Sequence, residues 1–248
     1  DKLNKFEDVL IKTSDFSGFI QEKKDFQNYK SFLNGHWWVQ DFSSFFPLLN
    51  LPEEYKDGSF LDACSAPGGK SFQILSKKIK IVLNDISSNR IKILKSNLKR
   101  LQFDPPILNY DFTKLSNNKK YDFIIIDSPC SAIGTIRRNP EILFRNEGPE
   151  ILGLQKIQEE MLQKASEILN NGGMILYMVC SFLKSETEDQ INKFLKNKKN
   201  FEKYKFKPII KNLSYSKLIK DSFIQTMPDE IQNHKIDGYF AAYLKKIR

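Results

Sequence analysis

The chain has 248 residues, 40% hydrophobic and 28% charged, enough for one large domain or one domain with a small appendage. That balance, with only 11 Gly and 10 Pro, excludes collagen-like, low-complexity and disordered classes, and no apolar run approaches the ~18 residues of a membrane span. Lys and Arg total 39 against 30 Asp and Glu, and a net charge of +9 points to a polyanionic partner, nucleic acid before an anionic membrane surface. Lysine runs around 196–199 and 217–220 read equally well as solvated faces. The cysteines Cys64, Cys130 and Cys180 lack metal-finger spacing, and their odd number argues for a reducing cytoplasm over a disulfide framework. Neither a metal site nor a signal peptide is expected. A start at Asp1 without Met reads as a trimmed piece of something longer.

Residues 1–35 are weakly patterned, with a strand expected over Phe6–Ile11, and read as a small lobe or its remnant. Residues 36–248 read as the main unit. It opens with Trp37-Trp38-Val39-Gln40 and a possible helix over Asp41–Leu49. Strands are expected at Gly58–Cys64, Lys80–Leu83, Ile107–Tyr110, Tyr121–Ile126 and Met174–Val179, then Phe201–Phe206 and Gly238–Leu244. Helices are expected at Lys70–Lys78, Ser88–Leu101, Glu150–Leu169 and Ser185–Leu195. Asn171-Gly172-Gly173 is read as the stop of the third, and Ser185 with Glu188 as a capping box opening the fourth. Strands alternating with helices predict an α/β fold, a mostly parallel, seven-stranded Rossmann-like sheet with helices on both faces. Ligands then bind beyond the carboxyl ends of the strands, where Asp62, Asp85, Asp111, Asp127 and Cys180 fall.

Cys64-Ser65-Ala66-Pro67-Gly68-Gly69-Lys70 follows the first of these strands. Glycines let a ligand approach the backbone, and the next helix offers free N–H groups to an anion. Asp85 lies near the ~20-residue offset at which an acid takes ribose hydroxyls, but capping a helix suits it as well. Asp111 carries the same ambiguity. Asp127-Ser128-Pro129-Cys130-Ser131, Arg137-Arg138-Asn139-Pro140 and Cys180-Ser181 complete the set. A buried Cys is often only a small hydrophobe, yet two at strand ends facing one crevice suggest chemistry.

Together these motifs resemble the S-adenosylmethionine-dependent RNA cytosine-5 methyltransferases, nearest to the RsmB type that acts on bacterial small-subunit ribosomal RNA. Trp37–Asp41 and Asp237-Gly238-Tyr239-Phe240 match too, so the resemblance covers about residues 35–248. It implies a class I methyltransferase fold with S-adenosylmethionine held by Cys64–Lys70, Asp85, Asp111 and Asp127. It also implies Cys180 as nucleophile and Cys130 in the elimination. Asp127 and Lys70 would handle the base and cofactor, with Arg90 bracing Asp85 and Arg137 and Arg138 meeting RNA phosphate or ordering the loop. RNA is the implied partner of a monomer. Val179, Ser128 and Asn139 stand where the family usually has Thr, Ala and His. The N-terminal NusB-like domain of RsmB-type proteins is absent from these residues. Competing readings are a cytosine-5 methyltransferase acting on tRNA, a DNA-type enzyme using Cys130 as nucleophile, and a non-catalytic RNA-binding or ribosome-assembly factor with a vestigial site.

Overall fold

Alternate residues of the central strands point to opposite faces, and this divides the apolar core in two. A computed structural model of the chain describes residues 10–14, 17–20, 25–116, 119–144, 150–205, 217–220, 222–231 and 234–247. It contains the hairpin β1 (Leu10–Ser14) and β2 (Ser17–Ile20), then the helices α1 (Lys30–Leu33) and α2 (Phe42–Leu49). The strands of the main sheet are β3 (Phe60–Asp62), β4 (Ile81–Asn84), β5 (Ile107–Leu108), β6 (Tyr121–Asp127), β7 (Leu169–Val179), β8 (Phe201–Lys203), β9 (Ile219–Lys220), β10 (Phe223–Thr226) and β13 (Tyr239–Lys246). A small hairpin of β11 (Asp229–Ile231) and β12 (His234–Ile236) lies apart. The larger helices are α3 (Gly69–Ser76), α4 (Ser88–Leu101), α5 (Ile151–Ile168) and α6 (Glu188–Asn197).

The main sheet runs β5-β4-β3-β6-β7-β13. Its first five strands are parallel and β13 is antiparallel to β7. On the outer edge of β13, β8 pairs with Leu244–Lys246, and β10 pairs further along with Tyr239–Ala242 and carries β9. The seven expected strands are thus present, and β9 and β10 extend them. Phe60, Leu83, Phe123, Met174, Leu176 and Tyr243 face α2, α3 and α4. Leu61, Ile124, Ile126, Ile175, Tyr177 and Phe240 face α5 and α6. This two-sided burial follows from strands that are apolar throughout.

Of the strand expected over Phe6–Ile11, Leu10 and Ile11 lie in β1, and residues 6–9 lie outside those described. Two local expectations are corrected. Gly172 and Gly173 do not stop α5, which ends at Ile168. They lie within β7, at the register shift opposite Tyr121–Phe123, and Gly172 has φ 75°. Ser185 caps nothing, because Lys184–Glu186 forms a 3₁₀ turn and α6 starts later, at Glu188. The physical reason is Glu186, whose side chain is drawn into the core and takes the chain with it. Before the main unit, Arg100 of α4 donates to the carbonyls of Phe32 and Trp37 and lies 3.8 Å from the Phe32 ring centroid, tying residues 32–37 to that helix.

Candidate active site

The parallel strands end together, so their last residues meet along one edge. Asp62 closes β3 with 1% exposure; its Oδ2 accepts from Ser71 Oγ at 2.6 Å and its Oδ1 from the Cys64 N–H at 3.3 Å. Burial pushes its pKa up to about 6. The loop beyond it turns through a cis Ala66–Pro67 bond into Gly68, whose φ of 120° opens α3. A Cβ on Gly68 would lie 2.0 Å from the Phe72 ring. Ser65 donates through both N and Oγ to the Asn84 carbonyl, at 2.8 and 3.0 Å.

Asp85 has a capping contact: Oδ1 accepts from the Ser87 N–H at 2.9 Å. Its Oδ2 accepts from the Ala66 N–H at 3.1 Å and lies 3.5 Å from Arg90 Nη1, so Arg90 does brace it. Arg90 also donates to the Ala66 carbonyl. Asp111 caps a 3₁₀ turn through Thr113 and pairs with Lys114 at 3.1 Å; the Thr113 hydrogen bond holds its carboxyl below the usual range. Asn84, unremarked in the sequence, is buried and joins three segments. Its Nδ2 donates to the Ala63 and Tyr110 carbonyls, and its Oδ1 accepts from the Tyr110 N–H. Ile86 and Tyr110 stand exposed beside these acids, at 66% and 61%.

The second half of the edge carries the thiols. Cys130 Sγ and Cys180 Sγ are 3.3 Å apart. The hydrogen-bonding contact with Cys130 lowers the Cys180 thiol pKa against the opposing effect of burial, and Lys70 adds to the lowering. The same contact, with burial, holds Cys130 far above its ordinary value. Cys64 is not part of the pair, and burial raises its thiol strongly. Asp127, at the end of β6, accepts from Lys70 Nζ at 2.6 Å on Oδ2 and from the Tyr239 hydroxyl on Oδ1. Lys70 also lies 5.3 Å from the Tyr239 ring centroid. Tyr239 as an Asp127 partner escaped the sequence reading, although it lies within the noted Asp237–Phe240 motif.

The loop carrying Cys130 is fastened from behind. Gly134 donates to the Cys180 carbonyl at 3.0 Å and accepts from the Gly238 N–H at 2.8 Å. Both Arg137 and Arg138 close on buried Asp237, at 2.8 and 2.5 Å, and Arg137 also meets Asp41 at 3.2 Å. Of the two roles read for these arginines, loop ordering has this geometry. Such an arrangement can bind an amino acid and nucleoside along one half while presenting a thiolate to a base in the other. Among the described residues no group of three or more His, Cys, Asp or Glu is placed to hold a metal ion, and no helix is long and apolar enough to cross a membrane.

The architecture matches solved structures. NSun6 from Pyrococcus horikoshii with SFG has a TM-score of 0.76 at 24% identity, covering 91% of this chain and 57% of that one. A methyltransferase homolog protein from Pyrococcus horikoshii has a TM-score of 0.71 at 26% identity, covering 93% and 75%. The fold is that of the Rossmann-like class I S-adenosylmethionine-dependent methyltransferases. Within that class the family described as 16S rRNA methyltransferase RsmB/F matches residues 48–245, and the chain belongs to it. Ribosomal RNA small subunit methyltransferase B of Shewanella oneidensis is 31% identical, over 98% of this chain and 56% of that protein. The chain spans about half the length of the curated relatives it matches. S-Adenosylmethionine is the cofactor of this family.

Proposed function

We propose that the chain methylates carbon 5 of a cytosine in small-subunit ribosomal RNA through a covalent bond from Cys180 to carbon 6. The observation that carries this reading is the 3.3 Å thiol pair in which one sulfur is favoured as thiolate and the other as thiol. A DNA-type enzyme would use Cys130 as the nucleophile, whereas the Cys180 contact and burial push the Cys130 thiol up, away from thiolate.

The strand edge fits S-adenosylmethionine on chemical grounds. Lys70 and Asp127 would offer partners to a carboxylate and an ammonium, Asp85 and Asp111 would offer acceptors to ribose hydroxyls, and exposed Ile86 and Tyr110 would offer apolar faces to a purine. Residues 64–70 supply the glycine turn and the α3 N-terminus. Bound there, the cofactor supplies an electrophilic methyl group. Carbon 5 of cytosine is a poor nucleophile until Cys180 adds at carbon 6 and pushes electron density onto it. Lys70 keeps the thiolate favoured and Asp127 oriented. After methylation a base removes the carbon-5 proton, and Cys130, the protonated neighbour, assists departure of the Cys180 sulfur.

A cytosine must leave its stack to reach a crevice at the sheet edge, so single-stranded or looped RNA suits the site. Residues 36–248 would form the catalytic unit, a cytoplasmic monomer with free thiols, and residues 1–35 a small lobe beside the RNA. Labelled S-adenosylmethionine incubated with naked small-subunit RNA and the chain should give 5-methylcytosine on nucleoside mass spectrometry. Label in any other nucleoside would contradict the reading.

A further inference from the structure

Ser131 follows Cys130 and Ser181 follows Cys180, and both hydroxyls turn away from the crevice onto the same group. Glu186 is fully buried, and its Oε2 accepts from Ser131 Oγ at 2.5 Å and from Ser181 Oγ at 2.6 Å. Its Oε1 accepts from the Ser131 N–H at 2.8 Å and from Gln158 Nε2 at 3.2 Å. That Gln158 amide also donates to the Pro129 carbonyl at 3.0 Å, so the residues on either side of Cys130 are held. The Glu186 carbonyl accepts from the Tyr177 hydroxyl at 2.8 Å, which fixes Glu186 to β7, the strand that leads into Cys180. Each serine oxygen accepts in turn from a backbone N–H two residues ahead, Ile133 and Leu183. Glu186 makes no ion pair among the described residues.

A buried carboxylate is expensive to desolvate and persists only when its lone pairs are filled. Four donors fill them here, and two come from the serine hydroxyls next to the thiols. A plain core would be better served by an apolar residue of the same volume, so stability alone does not explain Glu186. We propose that Glu186 is a positioning residue, a yoke that sets the separation of Cys130 and Cys180 by seating both cysteine loops on one carboxylate. Proton sharing between two sulfurs depends steeply on distance, so a loop that drifts breaks the Cys130-to-Cys180 hydrogen bond without touching either thiol. This deepens the proposed function and rests on its choice of Cys180 and Cys130 as the reacting pair.

The test needs neither RNA nor cofactor. Iodoacetamide modification of the chain is followed at each cysteine by mass spectrometry across a pH series, with Cys64 as internal reference. The groups facing Cys180, namely Cys130, Asp127, Lys70, Tyr239 and Arg138, are left intact. The folded Ser131→Ala/Ser181→Ala double variant should shift the Cys180 profile to higher pH and leave Cys64 unmoved. Glu186→Ala should do the same. Glu186→Gln, whose amide can donate the two bonds that the serines otherwise give, should restore the profile toward wild type. A folded double variant with the wild-type Cys180 profile would overturn the yoke. Absence of RNA adducts in Cys130→Ala with these shifts intact would overturn only the choice of nucleophile.

Discussion

Asp62 shows how a single residue trades stability for position. Its carboxyl is ionised with difficulty because burial outweighs the Ser71 hydrogen bond and the nearby Lys70. The folded pKa of about 6 lies above the ordinary 3.8, so the folded chain binds the proton more tightly than the unfolded one. The associated stability is fully present below pH ~4 and is lost as the pH rises through ~6, a loss of roughly 3 kcal/mol for two pH units. Asp62→Asn keeps the shape, with an amide able to serve Ser71 and the Cys64 N–H. It should flatten the fall in stability between pH 4 and 6 and raise stability at pH 7. Urea titrations at several pH values check this, and an unchanged slope in Asp62→Asn would assign it to other groups.

At the scale of elements, the Cys130 loop is set by contacts that cannot yield. A Cβ on Gly134 would lie 2.0 Å from the Gly238 carbonyl oxygen and 2.9 Å from that of Cys180, all backbone. Gly134→Ala should therefore push the loop off β7 and β13. Overpacking of this kind costs about 1–3 kcal/mol, or several degrees in Tm, and methyl transfer should fall with it. Thermal melts and turnover at wild-type values in Gly134→Ala would show that the loop is not seated this way.

The strands were legible because Phe123–Ile126 and Met174–Val179 are apolar on both faces, and a parallel sheet demands that. The strand-end positions of Asp62, Asp127 and Cys180 followed directly. What remained hidden were long-range partners. Glu186 looked like part of a helix start, and only the fold brings Ser131, 55 positions away, against it. Asp237 and Arg137 are 100 positions apart. Gly172 and Gly173 misled because a register shift within a strand and a helix stop use the same residue type.

For the molecule as a whole, the +9 charge has a measurable consequence once RNA is the partner. Each phosphate neutralised releases counterions, so log K should fall with log salt by roughly 0.7 per contact on single-stranded RNA. Filter binding at several salt concentrations should give a slope of several contacts, and a salt-independent affinity would contradict an electrostatic RNA surface.

The proposed function divides labour between the two thiols, and trapped protein–RNA complexes on a denaturing gel tell their roles apart. With RNA and S-adenosylmethionine supplied, Cys130→Ala should attack and methylate but fail to release, so a denaturant-resistant complex accumulates. Cys180→Ala should form none and methylate nothing. A complex that persists in Cys180→Ala and disappears in Cys130→Ala would make Cys130 the nucleophile instead.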